Sequence, residues 1–230
     1  AIVLGLSSLF ISVFAFISGV ITVFATLLIA KLFKNGSSTT LLLSGVIVGG
    51  LMSSILSFIK YFADPQTTLA SITYWLMGSF EGATMNQAYI LVGVIGICSV
   101  ALIILSFRIY LVSLGRQAAQ TKGINYVFYR YLIIGIATLL TAISVCFCGT
   151  VSWIGLVIPH IVRLLVGHNT KRTIPLAITI GGSFMVITDV ISRSFVDSEI
   201  PLSAVTGLFG TIIFVIILFV RRRDIYERQD

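Results

Sequence analysis

The sequence predicts an all-α fold, a polytopic membrane helical bundle. Of its 230 residues, 57% are hydrophobic and 10% charged, and the mean hydropathy is +1.09. That leaves too little polar surface to cover a water-soluble globule of this length. The apolar residues also fall in runs of the right length. Crossing the hydrocarbon core takes about 20 apolar residues, and the chain divides into six such runs plus one shorter, proline-interrupted run.

The first span covers residues 9–33, and residues 1–4 read as the tail of an earlier one. A polar stretch, Lys34-Asn-Gly-Ser-Ser-Thr-Thr40, turns the chain into the second span, 41–62. The segment from Asp64 to Gly82 is too polar at its start and too short to cross. It reads as a helix lying on the membrane surface, with Tyr74 and Trp75 suited to the interface because each ring has an apolar body and a polar edge. Spans at 87–107 and 126–147 flank a loop containing Leu114-Gly-Arg-Gln-Ala-Ala-Gln-Thr-Lys-Gly123. Small alanines between polar residues, closed by glycine, predict one or two short surface helices with a tight turn. The run at 151–166 contains Pro159, so a helix there is broken or short, and the carbonyl it frees must be covered by protein. The last two spans are 173–195 and 200–220, followed by Arg221-Arg222-Arg223.

Alternating the seven spans with the C-terminus in the cytoplasm places 13 of the 15 basic residues inside, leaving only Lys60 and Arg193 outside. This satisfies the positive-inside rule. The net charge of +7 therefore reports membrane orientation, and nucleic acid is excluded as a partner. Cys98, Cys146 and Cys148 lie within spans and read as small packing residues. The pairs Gly45 with Gly49 and Gly78 with Gly82 have the spacing that lets helices approach closely.

The most informative stretch is Gly155-Leu-Val-Ile-Pro-His-Ile-Val-Arg-Leu-Leu-Val-Gly167. It resembles the signature of the FecCD-type permeases, the BtuC-like membrane subunits of ATP-binding-cassette (ABC) importers for ferric siderophores, haem and cobalamin. A second match is Asp189-Val-Ile-Ser-Arg193 followed by Glu199-Ile-Pro201, similar to the family's Glu-Leu-Pro. The resemblance runs from Ala1 to about Val220. It implies a type II importer permease fold with ten spans, of which about seven are present here. The expectation is then a single transmembrane permease domain over residues 1–230 that lacks roughly its first three spans.

The resemblance also implies roles. Ser37, Ser38, Thr39 and Thr40 match the hydroxyl-rich turn at the cytoplasmic mouth of the pathway, where two subunits would narrow the pore. Leu114, Gly115, Arg116, Ala118, Ala119 and Gly123 match the segment that couples the permease to its ATPase, with Arg116 standing where the family usually carries an acid. Gly155, Pro159, His160 and Arg163 form the signature helix. His160 reads as a local hydrogen-bond partner, and Arg163 as a side chain that reaches the inner surface or caps carbonyls. Arg193 reads either as an intrahelical partner of Asp189, four residues earlier, or, by the resemblance, as the docking point of a substrate-binding protein, with Glu199 beside it.

The implied partners are a second permease subunit, identical or not, two cytoplasmic ATPase subunits, an extracytoplasmic substrate-binding protein and the bilayer of a bacterial cell membrane. No phosphate-binding Gly-x-x-x-x-Gly-Lys-Ser/Thr occurs, so ATP and Mg would be used by the partner ATPase, and neither cofactor nor metal is expected on this chain. The expected cargo is an iron-siderophore or similar chelate, with haem, cobalamin or an oxyanion as alternatives. An ion-coupled secondary transporter would need ionisable groups within its spans, and apart from Asp189 near an end there are almost none. An intramembrane enzyme would need more than an isolated His160.

Overall fold

The computed structural model describes residues 1–33, 38–167, 169–194 and 199–226. After a 3-10 turn at Ile2–Leu4, ten α-helices follow among the described residues. They are α1 (Ser8–Leu32), α2 (Ser38–Phe62), α3 (Thr68–Met77), α4 (Met85–Ile104), α5 (Ser106–Ser113), α6 (Arg116–Thr121), α7 (Tyr126–Cys148), α8 (Ile154–Val166), α9 (Thr170–Ser194) and α10 (Leu202–Tyr226).

Six of these, α1, α2, α4, α7, α9 and α10, are long and apolar enough to cross a membrane. A helix of 25 residues, such as α1, is about 38 Å long and clears a hydrocarbon core of about 30 Å. Helix α8, at 13 residues, reaches only about 20 Å. It begins at Ile154, three residues after the expected start of its span, and runs through Pro159 without a break. Short, then, rather than broken, is the outcome at this proline. Helix α4 starts before the expected Gln87 because Thr84 caps it: the Gln87 amide donates to Thr84 Oγ1 at 3.4 Å and the Thr84 amide to Gln87 Oε1 at 2.9 Å. This reciprocal arrangement satisfies two amides that the first turn would otherwise leave bare.

The chain forms two compact units. In the first, Ala1–Leu76 with Ala137–Gly149, α1 packs along α2, and Gly19 allows α1 to approach Ala142. In the second, Met77–Ile136 with Thr150–Asp230, α9 is the central element and packs against α4, α5, α8 and α10. Helix α10 comes so near the start of α8 that a Cβ built on Gly210 would lie 2.7 Å from Trp153 Cβ. Trp153 itself sits in the left-handed backbone region (φ 67°), which costs a residue bearing Cβ about 1–2 kcal/mol. Its ring lies 6.1 Å from that of Phe214, and His160 meets the same Phe214 edge-on at 5.6 Å.

The glycine pairs expected at helix contacts behave otherwise. A Cβ on Gly45 or Gly49 would meet nothing within 4 Å, so their face of α2 is open among the described residues. Gly78 lies just past the end of α3 with φ 73°, not on a helix with Gly82. Four-residue spacing signals a contact only where both residues share a helix and another helix crosses there. The cysteines follow expectation: Cys98 and Cys146 are buried, Cys148 half-buried, and all three are free.

Candidate functional site

At the C-terminal end of α9, Arg193 holds two carboxylates. Its Nε is 3.0 Å from Asp189 Oδ1, one turn back, and its Nη1 is 2.7 Å from Glu199 Oε1. The other oxygen of Glu199 accepts a hydrogen bond from Ser79 Oγ at 2.8 Å. Around this network the backbone is laced together. The Ile200 amide donates to Ser192 O at 3.1 Å, Ser192 Oγ donates to Ile200 O, and the Leu202 amide donates to Gly78 O at 2.9 Å. Glu199 is thus largely covered, 13% exposed, while Arg193 remains 46% exposed, so the cation is the more open of the two to a further partner. The intrahelical pair offered by the sequence is present, and the Arg193 guanidinium remains partly exposed. Ser79 carries no signal in the sequence, because its partner lies 120 residues away.

The segment 106–123 forms two short helices, α5 and α6, joined at Leu114 and Gly115. Gly115 has φ 98° and Gly123 φ 71°, conformations that side chains with Cβ resist, so each glycine makes a corner no other residue makes cheaply. Ala119 is fully buried: it packs into its own chain rather than presenting itself to a partner. The surface is supplied by Arg116, Gln117 and Gln120, which are exposed, with Leu114 at 53% and Ala118 half-buried.

In α8, His160 Nδ1 lies 2.7 Å from Leu156 O. A carbonyl only accepts, so this nitrogen carries the proton, and the ring is a local partner of its own helix. Pro159 is the sixth residue of α8, where its missing amide leaves Gly155 without the usual intrahelical donor. Arg163 is exposed in the last turn, where a cation complements the helix dipole, and makes no ion pair among the described residues. Val157, Ile158 and Val162 form the buried side of α8. No group of three His, Cys, Asp or Glu side chains among the described residues could hold a metal ion.

Of the hydroxyl stretch, Ser37 lies outside the described residues. Residues 38–40 form the first turn of α2 rather than a turn between helices. Hydroxyl residues suit that position, where backbone groups lack intrahelical partners. Thr39 is exposed, Thr40 is half-buried, and Ser44 Oγ donates to Thr40 O at 2.8 Å.

The model of the FecCD transport family matches residues 1–220. The chain belongs to this family. Among relatives in it, the molybdate import system permease protein MolB of Haemophilus influenzae is 34% identical over 212 residues, covering 90% of this chain and 63% of that protein. The "Probable iron chelatin transport system permease protein" of Helicobacter pylori is 31% identical, covering 91% and 64%. The vitamin B12 import system permease protein BtuC of Photorhabdus laumondii is 33% identical, covering 90% and 61%. A solved inward-facing structure described as of the metal-chelate ABC transporter type superposes with a TM-score of 0.79 at 35% identity, covering 85% of this chain and 64% of that one. The chain therefore spans less than two thirds of the length of these FecCD relatives.

Proposed function

We propose that the chain is permease sequence of an ABC importer that carries a metal chelate, of the iron-siderophore kind, across a bacterial cell membrane. The observation that supports this reading most directly is the family match over residues 1–220. Two permease subunits would enclose the path, two cytoplasmic ATPases would drive it, and an extracytoplasmic binding protein would deliver the cargo. With the C-terminus cytoplasmic, α5 and α6 face the ATPase through Arg116, Gln117 and Gln120, and the first turn of α2 lies at the inner mouth. Arg193 faces outward at the opposite boundary, where an acidic residue of the delivery protein would meet it. The signature helix α8, with Gly155, Pro159, His160 and Arg163, serves the packing of the bundle. The chain performs no chemistry of its own, and alternating access follows from which state the ATPase and the delivery protein favour.

A second reading, an oxyanion cargo, has the support of the 34% identity to a molybdate permease. Uptake by cells carrying the complete importer, measured with a labelled ferric siderophore and with labelled molybdate, separates the two. Uptake of neither after induction, with the ATPase assembled, overturns both.

A further inference from the structure

Between residues 82 and 188 the sequence has no Asp or Glu, yet it carries seven cations: Arg108, Arg116, Lys122, Arg130, Arg163, Lys171 and Arg172. Six of them, all but Arg130, make no ion pair among the described residues. At one place this unanswered charge borders a cavity. A pocket of about 600 Å³ opens between α5, the end of α8 and the start of α9, lined by Phe107, Tyr110, Val166, Asn169, Thr170 and Lys171. Lys171 Nζ stands 5.9 Å from the centre of the Phe107 ring, which fixes the cation at the apolar wall. Among the described residues the hydroxyls of Tyr110 and Thr170 make no side-chain hydrogen bond, so the pocket offers two hydroxyls and an ammonium that no carboxylate answers.

Depth identifies the ligand. The span α4 ends at Ile104, just before Phe107, and the span α9 begins at Thr170. The pocket thus sits where two membrane-crossing helices meet the interface, with Phe107 54% and Tyr110 39% exposed beside it. A soluble anion has no use for that apolar wall, whereas a phospholipid has a charged head and apolar chains in this order. Basic pockets between membrane helices suit anionic headgroups. We propose that this pocket holds the phosphate headgroup of an anionic phospholipid, Lys171 facing the phosphate and Phe107 and Val166 facing the chains. Bound there, a lipid bridges α5 to α9, joining the membrane boundary to the helix pair that leads into α6.

The test uses the complete transporter in nanodiscs of phosphatidylcholine with or without phosphatidylglycerol, with retained lipid counted by native mass spectrometry. Phosphatidylglycerol should be retained over phosphatidylcholine, and Lys171→Glu should cut its retention by at least about fivefold, the ratio that loss of one basic residue alone gives at about 1 kcal/mol at a membrane surface. Lys171→Arg should retain it, and Arg172→Glu, an equal change of charge outside the lining, should change it less. Should Lys171→Glu fail to assemble, Tyr110→Phe removes one hydroxyl and should lower retention in the same direction. Equal retention of the two lipids, or equal loss from Arg172→Glu, overturns the proposal. So does full displacement by millimolar glycerol phosphate, which would mark a soluble-anion site, or loss of the ATPase instead of lipid in Lys171→Glu, which would mark a protein contact.

Discussion

Arg193 and Glu199 are joined at 2.7 Å, Nη1 to Oε1, so that the end of α9 and the approach to α10 close on one ion pair. Glu199 is the covered member and Arg193 the exposed one. Exposed ion pairs contribute about 0–1 kcal/mol, and a covered carboxylate with a second hydrogen bond contributes more. The same guanidinium therefore serves the chain's own fold and remains accessible to a partner.

Replacing Arg193 should weaken delivery-protein docking, and Arg193→Glu more than Arg193→Ala, because reversal gathers three carboxylates at positions 189, 193 and 199. Losing one member of a buried interfacial pair costs about 2–5 kcal/mol, and a rim pair much less. Basal ATPase activity of the assembled importer should persist in both variants. Affinity of the delivery protein for the solubilised complex, at low and physiological salt, is the measurement; equal values for wild type and Arg193→Glu would leave Arg193 a structural residue only.

Ser79 and Glu199 should behave as one unit in stability. In a double-mutant cycle of Ser79→Ala and Glu199→Ala, the interaction energy should fall within about 0.5–3 kcal/mol, since the residues share a hydrogen bond that either truncation removes. Thermal unfolding in detergent reads it. Strict additivity would show that this bond contributes nothing.

At the inner loop, an indole in place of Gln117 should uncouple transport from ATP hydrolysis without lowering membrane insertion, because the residue is on the open face of α6. Ala119→Trp should instead lower the yield of folded protein, since overfilling a packed site costs about 1–3 kcal/mol. Transport and stimulated ATPase rates would expose the error if the Gln117 variant remained fully coupled.

Gly210→Ala should destabilise by about 1–3 kcal/mol, because the new methyl would collide with Trp153. Gly49→Ala, in open space on α2, should be neutral or gain about 0.5–1 kcal/mol from helix propensity. Comparing melting temperatures of the two variants checks both signs at once.

If the first turn of α2 narrows the inner mouth, Thr39→Cys in both subunits should crosslink in one nucleotide state. A disulfide needs α-carbons about 4.4–6.8 Å apart. Absence of a crosslink in every state would remove this turn from the path.

The spans were legible because a bilayer imposes one length and one composition on whatever crosses it. The tight corners at Gly115 and Gly123 were legible too, as glycine marks its own geometry. What escaped were relations between distant residues. Nothing near Ser79 announces Glu199, and nothing at Trp153 announces a left-handed backbone pressed against Gly210. The burial of Ala119 was hidden for a related reason: an alanine of a short surface helix reads the same whether it faces inward or outward. At Gly45 and Gly49 the spacing marks a small-residue face of α2, and no described residue comes within 4 Å of a Cβ built there.

Helix α8 also bears on how the protein is made. Thirteen residues, one of them proline, give the insertion machinery a segment too short to be released into lipid on its own merits. Its apolar partners, α9 and α10, emerge from the ribosome only afterwards. Until then α8 must wait at the interface or in the shelter of the translocon, and its final seat is a matter of assembly rather than partitioning. A nascent chain halted before Thr170, with neither α9 nor α10 made, would therefore keep α8 open to proteases that the finished protein resists.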